Sequence, residues 1–211
     1  MNSKWKTHLE NIRVMRKDRT APVDYAGTEM VANKNAPPPV YRFQCLVGVM
    51  LSSQTKDQIT FAAMERFKEH GCNIEIYIKK VAEICKEKYN GDIPKNLKEL
   101  CNLPGVGMKM AHIVMDCAWN EITGIAVDTH VHRLANRLEW FEKPTKNPKE
   151  TGAELEKLID RDLWKDVNLL LVGFGQEICQ PVRPKCDECL NREICPFPSK
   201  NKKKIRISDK K

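Results

Sequence analysis

Leu103-Pro104-Gly105-Val106-Gly107-Met108-Lys109, with its sequel Val127-Asp128-Thr129-His130, is the stretch around which the rest of this chain is organised. Before it, Leu97, Leu100 and Cys101 recur with the spacing of a short helix. After it, Met110, Ala111, Val114, Met115 and Ala118 form one apolar stripe of a second helix. Pro-Gly-Val-Gly cannot continue a helix, and its glycines permit positive φ and leave backbone N–H groups uncovered. Two helices joined by such a turn present amides at the second helix's N-terminus, where the macrodipole favours an anion. The expected element is a helix-hairpin-helix that grips a nucleic-acid backbone through a phosphate without reading base sequence.

Two residues near this turn are candidates for chemistry. Lys109 falls in the first turn of the second helix, on its polar side with His112 and Asp116. A cation at the positive end of a helix is unfavourably placed for stability, and such a position suits an amine nucleophile. A solvated lysine snorkelling off the helix has the same spacing. Asp128 precedes Val131, Leu134, Ala135 and Leu138, the pattern of a helix N-cap that needs no catalytic role.

Cys179, Cys186, Cys189 and Cys195 give C-x6-C-x2-C-x5-C, with Pro181, Pro184, Pro196 and Pro198 stiffening the turns. Four thiolates so close together can surround a metal centre, either zinc or an iron–sulfur cluster, with disulfides a distant third reading, and spacing alone does not separate zinc from the cluster. Cys45, Cys72, Cys85, Cys101 and Cys117 lie scattered through apolar-periodic segments and read as reduced core residues. An odd total of nine cysteines without a secretory leader argues against a disulfide framework and for a reducing compartment.

The 211 residues carry a net charge of +8, and Lys200–Lys211 alone holds seven Lys/Arg and one Asp, so the body is nearly balanced. That tail is read as solvated, with nuclear targeting or non-specific DNA attraction as its uses. No apolar run is long enough to cross a membrane. A helix is expected from Trp5 to Met15, then an extended proline-rich arm from Ala21 to Val40, then an all-round apolar helix from Tyr41 to Leu51. The polar turn Ser52–Asp57 follows, and a helix with Ile59, Ala62, Ala63 and Phe67 on one face. Ile78, Val81, Ala82 and Cys85 mark another helix. Past the Asp128 helix and a connection from Trp140 to Lys149, Leu155, Leu158 and Ile159 mark one helix. Val167, Leu170, Leu171 and Phe174 mark a second, expected to end near Gly173-Phe174-Gly175.

From about Trp5 to Phe197, the hairpin with its lysine, the V-D-T-H motif and the cysteine spacing resemble the endonuclease III family of DNA glycosylase/AP lyases, its eukaryotic members most. The resemblance implies an all-α, two-lobed helix-hairpin-helix glycosylase fold with a C-terminal iron–sulfur cluster loop. It divides the chain into an N-terminal helix and arm (1–40) packing with the second lobe, a helical barrel module (41–141), a cluster lobe (142–198) and a basic tail (199–211). It implies Lys109 as the amine that attacks the sugar, Asp128 as its assistant, and Cys179, Cys186, Cys189 and Cys195 as ligands of a [4Fe–4S] cluster. Gln54 would fill the space left by a flipped nucleotide. Gly105, Val106 and Gly107, with Arg183 and Lys185 of the first inter-cysteine loop, would contact phosphates.

The implied activity is removal of oxidised pyrimidines from damaged double-stranded DNA in base excision repair, by a monomer in the nucleus with the mitochondrion as a second site. One departure stands out. Between Gly71 and Ile78 the chain is shorter than family members usually are, as if a helix and a loop near residues 72–77 had been deleted. A missing helix uncovers its neighbours' apolar faces, at about 1.5–3 kcal/mol for each large side chain exposed. The competing expectation is therefore a catalytically impaired DNA-binding isoform.

Overall fold

The computed structural model describes residues 4–27, 30, 32–52 and 76–197, and among these all regular structure is helical. In chain order the α-helices are α1 (Lys4–Met15), α2 (Pro22–Ala26), α3 (Pro38–Ser52), α4 (Ile76–Lys88), α5 (Leu97–Asn102), α6 (Met108–Trp119), α7 (Thr129–Arg137), α8 (Pro148–Leu158) and α9 (Trp164–Glu177). Short 3₁₀ turns lie at Arg161–Leu163 and Cys186–Glu188. The Ser52–Asp57 turn beyond Ser52, Gln54, Cys72 and the apparent deletion lie outside the described residues.

Several helix starts follow from local chemistry. Asn96 caps α5 by accepting from the Glu99 amide at 2.9 Å, and Asn147 caps α8 by accepting from the Glu150 amide at 2.9 Å. Pro148 occupies the first turn of α8, where its missing N–H leaves no helical bond unmade. The same property corrects the expected extended arm. Pro22 opens the short helix α2, and Pro38-Pro39 opens α3 three residues before Tyr41. Proline here starts helices.

The backbone divides into two compact units, Pro22–Ala126 and a second made of Met1–Ala21 with Val127–Lys211. In the first, α3 packs on α6. Leu46, Val47, Val49 and Met50 meet Val81, Cys85, Leu100, Ala111, Val114 and Met115 in one apolar core. Arg42 makes a two-pronged ion pair with Asp92 and lies over the Trp119 ring, whose Nε1 donates to the Pro94 carbonyl at 3.0 Å. These contacts fasten the loop that leads into α5. The Arg42 guanidinium holds the Asp92 carboxyl below its ordinary range.

In the second unit, α9 packs on α1 and α7, and α8 on α7. Leu9 and Ile12 of α1, Val131, Leu134 and Ala135 of α7, Leu155 of α8, and Val167, Leu170, Leu171 and Phe174 of α9 are all buried. The units part at residues 21/22 and 126/127, whereas the sequence divisions stood at 40/41 and 141/142. The physical reason is α7: its apolar stripe packs on α9 and α8, so the Asp128 helix joins the cysteine-bearing unit.

α9 also runs past its expected end at Gly173–Gly175 to Glu177. Both glycines serve close packing. A Cβ on Gly173 would strike the Arg16 guanidinium, and one on Gly175 would lie 2.8 Å from His130 Nδ1. Arg16 is 1% exposed and pairs with Glu177 at 2.9 Å, while Thr20 donates to the other Glu177 oxygen at 2.7 Å. No described helix is long and apolar enough to cross a membrane.

Candidate active site and metal centre

The hairpin is built as its sequence predicts. α5 ends at Asn102, Leu103 and Val106 turn inward as buried anchors, and α6 begins at Met108. Gly105 has φ +79, the left-handed region that glycine enters without strain. Gly107 is the N-cap of α6 and offers no side-chain acceptor to the first-turn amides. A Cβ there would meet nothing within 4 Å, so the approach is open. Lys109, in the first turn, is exposed, and His112 one turn on is tied through Nδ1 to Thr123 Oγ1 at 2.9 Å. The arrangement offers uncapped backbone donors, a helix dipole and an exposed amine side by side, a site for an anion next to a nucleophile.

Asp128 is half-buried and caps α7, its Oδ1 accepting from the Val131 amide at 2.8 Å. The structural role its position predicts is therefore present. Lys109 lies in the unit Pro22–Ala126, and Asp128 one residue into the other.

The four cysteines of the C-terminal motif come together. All are free thiols, and all line one pocket with Arg137, Phe174, Ile178 and Phe197. Yet among the described residues no group of three or more His, Cys, Asp or Glu stands close enough to hold a metal ion. Four cysteine thiols lining one pocket are a donor set that suits either zinc or an iron–sulfur cluster. Burial pushes the Cys189 thiol up to about 11, and the neighbouring Cys179, Cys195 and Cys186 add to the effect. Burial likewise raises Cys186 and Cys195, against the pull of Arg137. A metal centre bound here would take these groups as thiolates and release their protons.

Of the basic residues expected at phosphates, Arg183 is exposed with φ +50, and Lys185 is exposed and 3.8 Å from Glu188. Arg192 pairs with Asp187 at 2.7 Å. Two arginines of α7 went unmarked in the sequence. Arg133 donates to the carbonyls of Gly175 at 3.3 Å and Cys179 at 3.1 Å. Arg137 reaches Cys179 Sγ at 3.3 Å. Their i, i+4 spacing, on a helix whose other face is apolar, was the only signal available.

This fold and these motifs define a helix-hairpin-helix protein of DNA repair. Residues 47–161 match the HhH-GPD superfamily of base excision DNA repair proteins. The chain is 49% identical to endonuclease III-like protein 1 of Gallus gallus over 216 residues, covering 91% of this chain and 77% of that protein. Against the same protein of Bos taurus it is 47% identical, covering 91% and 71%. A non-covalent endonuclease III–DNA complex matches with TM-score 0.76 and 25% identity, over 96% of this chain and 100% of that one. A trapped endonuclease III–DNA covalent intermediate matches in fold with TM-score 0.78 at 24% identity, over 95% and 98%. The chain belongs to the endonuclease III family, the DNA glycosylase/lyase enzymes of base excision repair. Its 91% share amounts to fewer residues than the 216 positions aligned, so the chicken relative carries residues without a counterpart here.

Proposed function

We propose that this enzyme is a bifunctional DNA glycosylase/AP lyase for oxidised pyrimidines in duplex DNA. The observation that carries the proposal is the exposed Lys109 amine beside the open, uncapped amides of the hairpin. The relatives' names and the DNA complexes among the solved structures support DNA as the substrate.

A base is reached by extruding its nucleotide, which costs a few kcal/mol and least at a poorly stacked lesion. The hairpin amides at Gly105 and Gly107 hold a phosphate, Val106 shaping the turn between them by donating its own N–H to the Leu103 carbonyl at 3.1 Å, and Gln54 fills the vacated stack. The Lys109 amine, unprotonated, forms a bond to C1′ as the C1′–N glycosidic bond breaks. The base leaves with that electron pair and takes up a proton. Loss of a proton from the attacking nitrogen and opening of the sugar ring give a C1′=N Schiff base. Removal of a C2′ proton then expels the 3′ phosphate by β-elimination, and water releases the amine. Asp128 accepts the proton that frees the amine and stabilises positive charge growing on the sugar.

Cys179, Cys186, Cys189 and Cys195 would hold a [4Fe–4S] cluster. Bound there, it contributes folding free energy to a loop that has little core of its own. Arg183 and Lys185 approach the DNA backbone as charges. A monomer directed to the nucleus, and also to the mitochondrion, completes the proposal.

Borohydride trapping on duplex DNA containing thymine glycol tests it. A covalent adduct that disappears in Lys109→Ala, while DNA binding persists, is the expected result. Wild-type excision by Lys109→Gln overturns the role of Lys109. No adduct from iron-loaded protein that still binds DNA would favour the impaired isoform.

A further inference from the structure

Arg137, the last residue of α7, makes more contacts with the cysteine loop than any activity yet described requires. Its Nη1 donates to the Gln180 carbonyl at 2.8 Å and to Cys179 Sγ at 3.3 Å, and its Nη2 donates to the Pro181 carbonyl at 3.2 Å. The guanidinium carbon sits 4.1 Å from the centroid of the Phe197 ring. Cys179 is the first cysteine of the motif, and Phe197 stands two residues past the last, Cys195. One planar cation therefore ties together the two ends of a seventeen-residue loop. Only a guanidinium forks to two carbonyls and a thiolate while stacking on an aromatic face; a lysine supplies a point charge.

We propose that Arg137 is a positioning residue for the iron–sulfur cluster, fixing the Cys179 thiolate and clasping the loop's closing segment through Phe197. The proposal rests on the reading of the four cysteines as cluster ligands. A hydrogen bond to a ligand sulfur stabilises the more electron-rich state of such a centre, so Arg137 also raises its potential. Arg133, one turn earlier, donates to the Gly175 and Cys179 carbonyls and contacts His130 Nδ1, and makes no hydrogen bond to the Cys179 sulfur.

The test uses the full chain and three variants, Arg137→Leu, Arg137→Lys and Phe197→Leu, with iron per protein, visible absorbance and midpoint potential as readouts. Arg137→Leu is expected to lose iron to a chelator at least tenfold faster than wild type and to shift the midpoint to a more negative value. Phe197→Leu is expected to lose iron faster with its midpoint unchanged, because it loosens the clasp but keeps the bond to sulfur. Arg137→Lys is expected to recover part of the midpoint shift and little of the retention. Wild-type protein without iron would overturn the cluster reading itself. Iron-loaded wild type with retention and midpoint unchanged in Arg137→Leu would overturn the role of Arg137 alone.

Discussion

Alanine in place of a glycine inside a helix ordinarily stabilises a protein by about 1 kcal/mol. At Gly173 the opposite is expected. Its missing Cβ is the space occupied by the Arg16 guanidinium, which is 1% exposed and paired with Glu177 at 2.9 Å. A methyl group there displaces the far end of a long side chain, but one enclosed by protein and held by a carboxylate. Breaking a buried pair costs about 3–5 kcal/mol, because a charge is left uncompensated. Set against the helix-propensity gain, the net loss is about 2–4 kcal/mol. For a chain of this size each kcal/mol moves the melting temperature by about 2–4 °C, so Gly173→Ala is expected to melt about 4–16 °C lower. Thermal unfolding followed by circular dichroism measures this, paired with the same substitution in an Arg16→Leu background. There the clash is gone, and alanine should be neutral or stabilising. A higher melting temperature for Gly173→Ala alone, or a loss undiminished in the Arg16→Leu background, would refute the reasoning.

Gly105→Ala is expected to cost about 1–2 kcal/mol through its φ of +79, since its Cβ would lie an ordinary 3.8 Å from Met50 Cε; chemical denaturation gives the figure, and weakened binding of a DNA duplex is the companion result. Asp92 has a depressed folded pKa, so its contribution is full above the unfolded value of about 3.9 and is lost as pH falls through the folded one. Urea unfolding at a series of acidic pH values should therefore show Asp92→Asn losing part of that pH dependence, and an unchanged slope would contradict the pairing. His8 is buried, its Nδ1 accepts from Trp140 Nε1 at 3.0 Å, and burial pushes its pKa down. The unfolded chain thus takes up a proton that the folded one resists, and stability should decline as pH drops below about 6.5. His8→Gln should remove that portion of the decline.

Most helices were legible because their apolar stripes repeat at 3.6 residues, and α1, α4, α5 and α6 begin and end close to where those stripes do, whereas α8 starts at Pro148, seven residues before its marked stripe. The misread positions share a cause: Pro22, Pro38 and Gly173 interrupt helices in an isolated chain, but here the prolines occupy first turns and the glycine admits a neighbour's guanidinium. The placement of α7 with the cysteine-bearing unit was equally invisible, since its buried face, Val131, Leu134 and Ala135, suits either neighbour. Of the site, the hairpin, the exposed Lys109, the Asp128 cap and the gathering of four cysteines could be read from spacing. The contacts of Arg133 and Arg137 could not. They depend on a segment more than forty residues away, and local pattern does not encode its position.

The Arg16–Glu177 pair and the bond between Asn11 and Asn191, 161 and 180 residues apart, give the second unit a particular order of assembly. Pro22–Ala126 is continuous and is complete once Ala126 has been made, whereas α1, synthesised before it, gains its partners only after the segment to Asn191 has been made. At about 5–20 residues per second that wait is roughly 10–30 s, with a charged Arg16 and an apolar helix face held in solvent. A stalled chain lacking Glu177 or Asn191 would therefore carry one completed unit and an orphaned amphipathic helix at its opposite end, a ready substrate for chaperones or proteases.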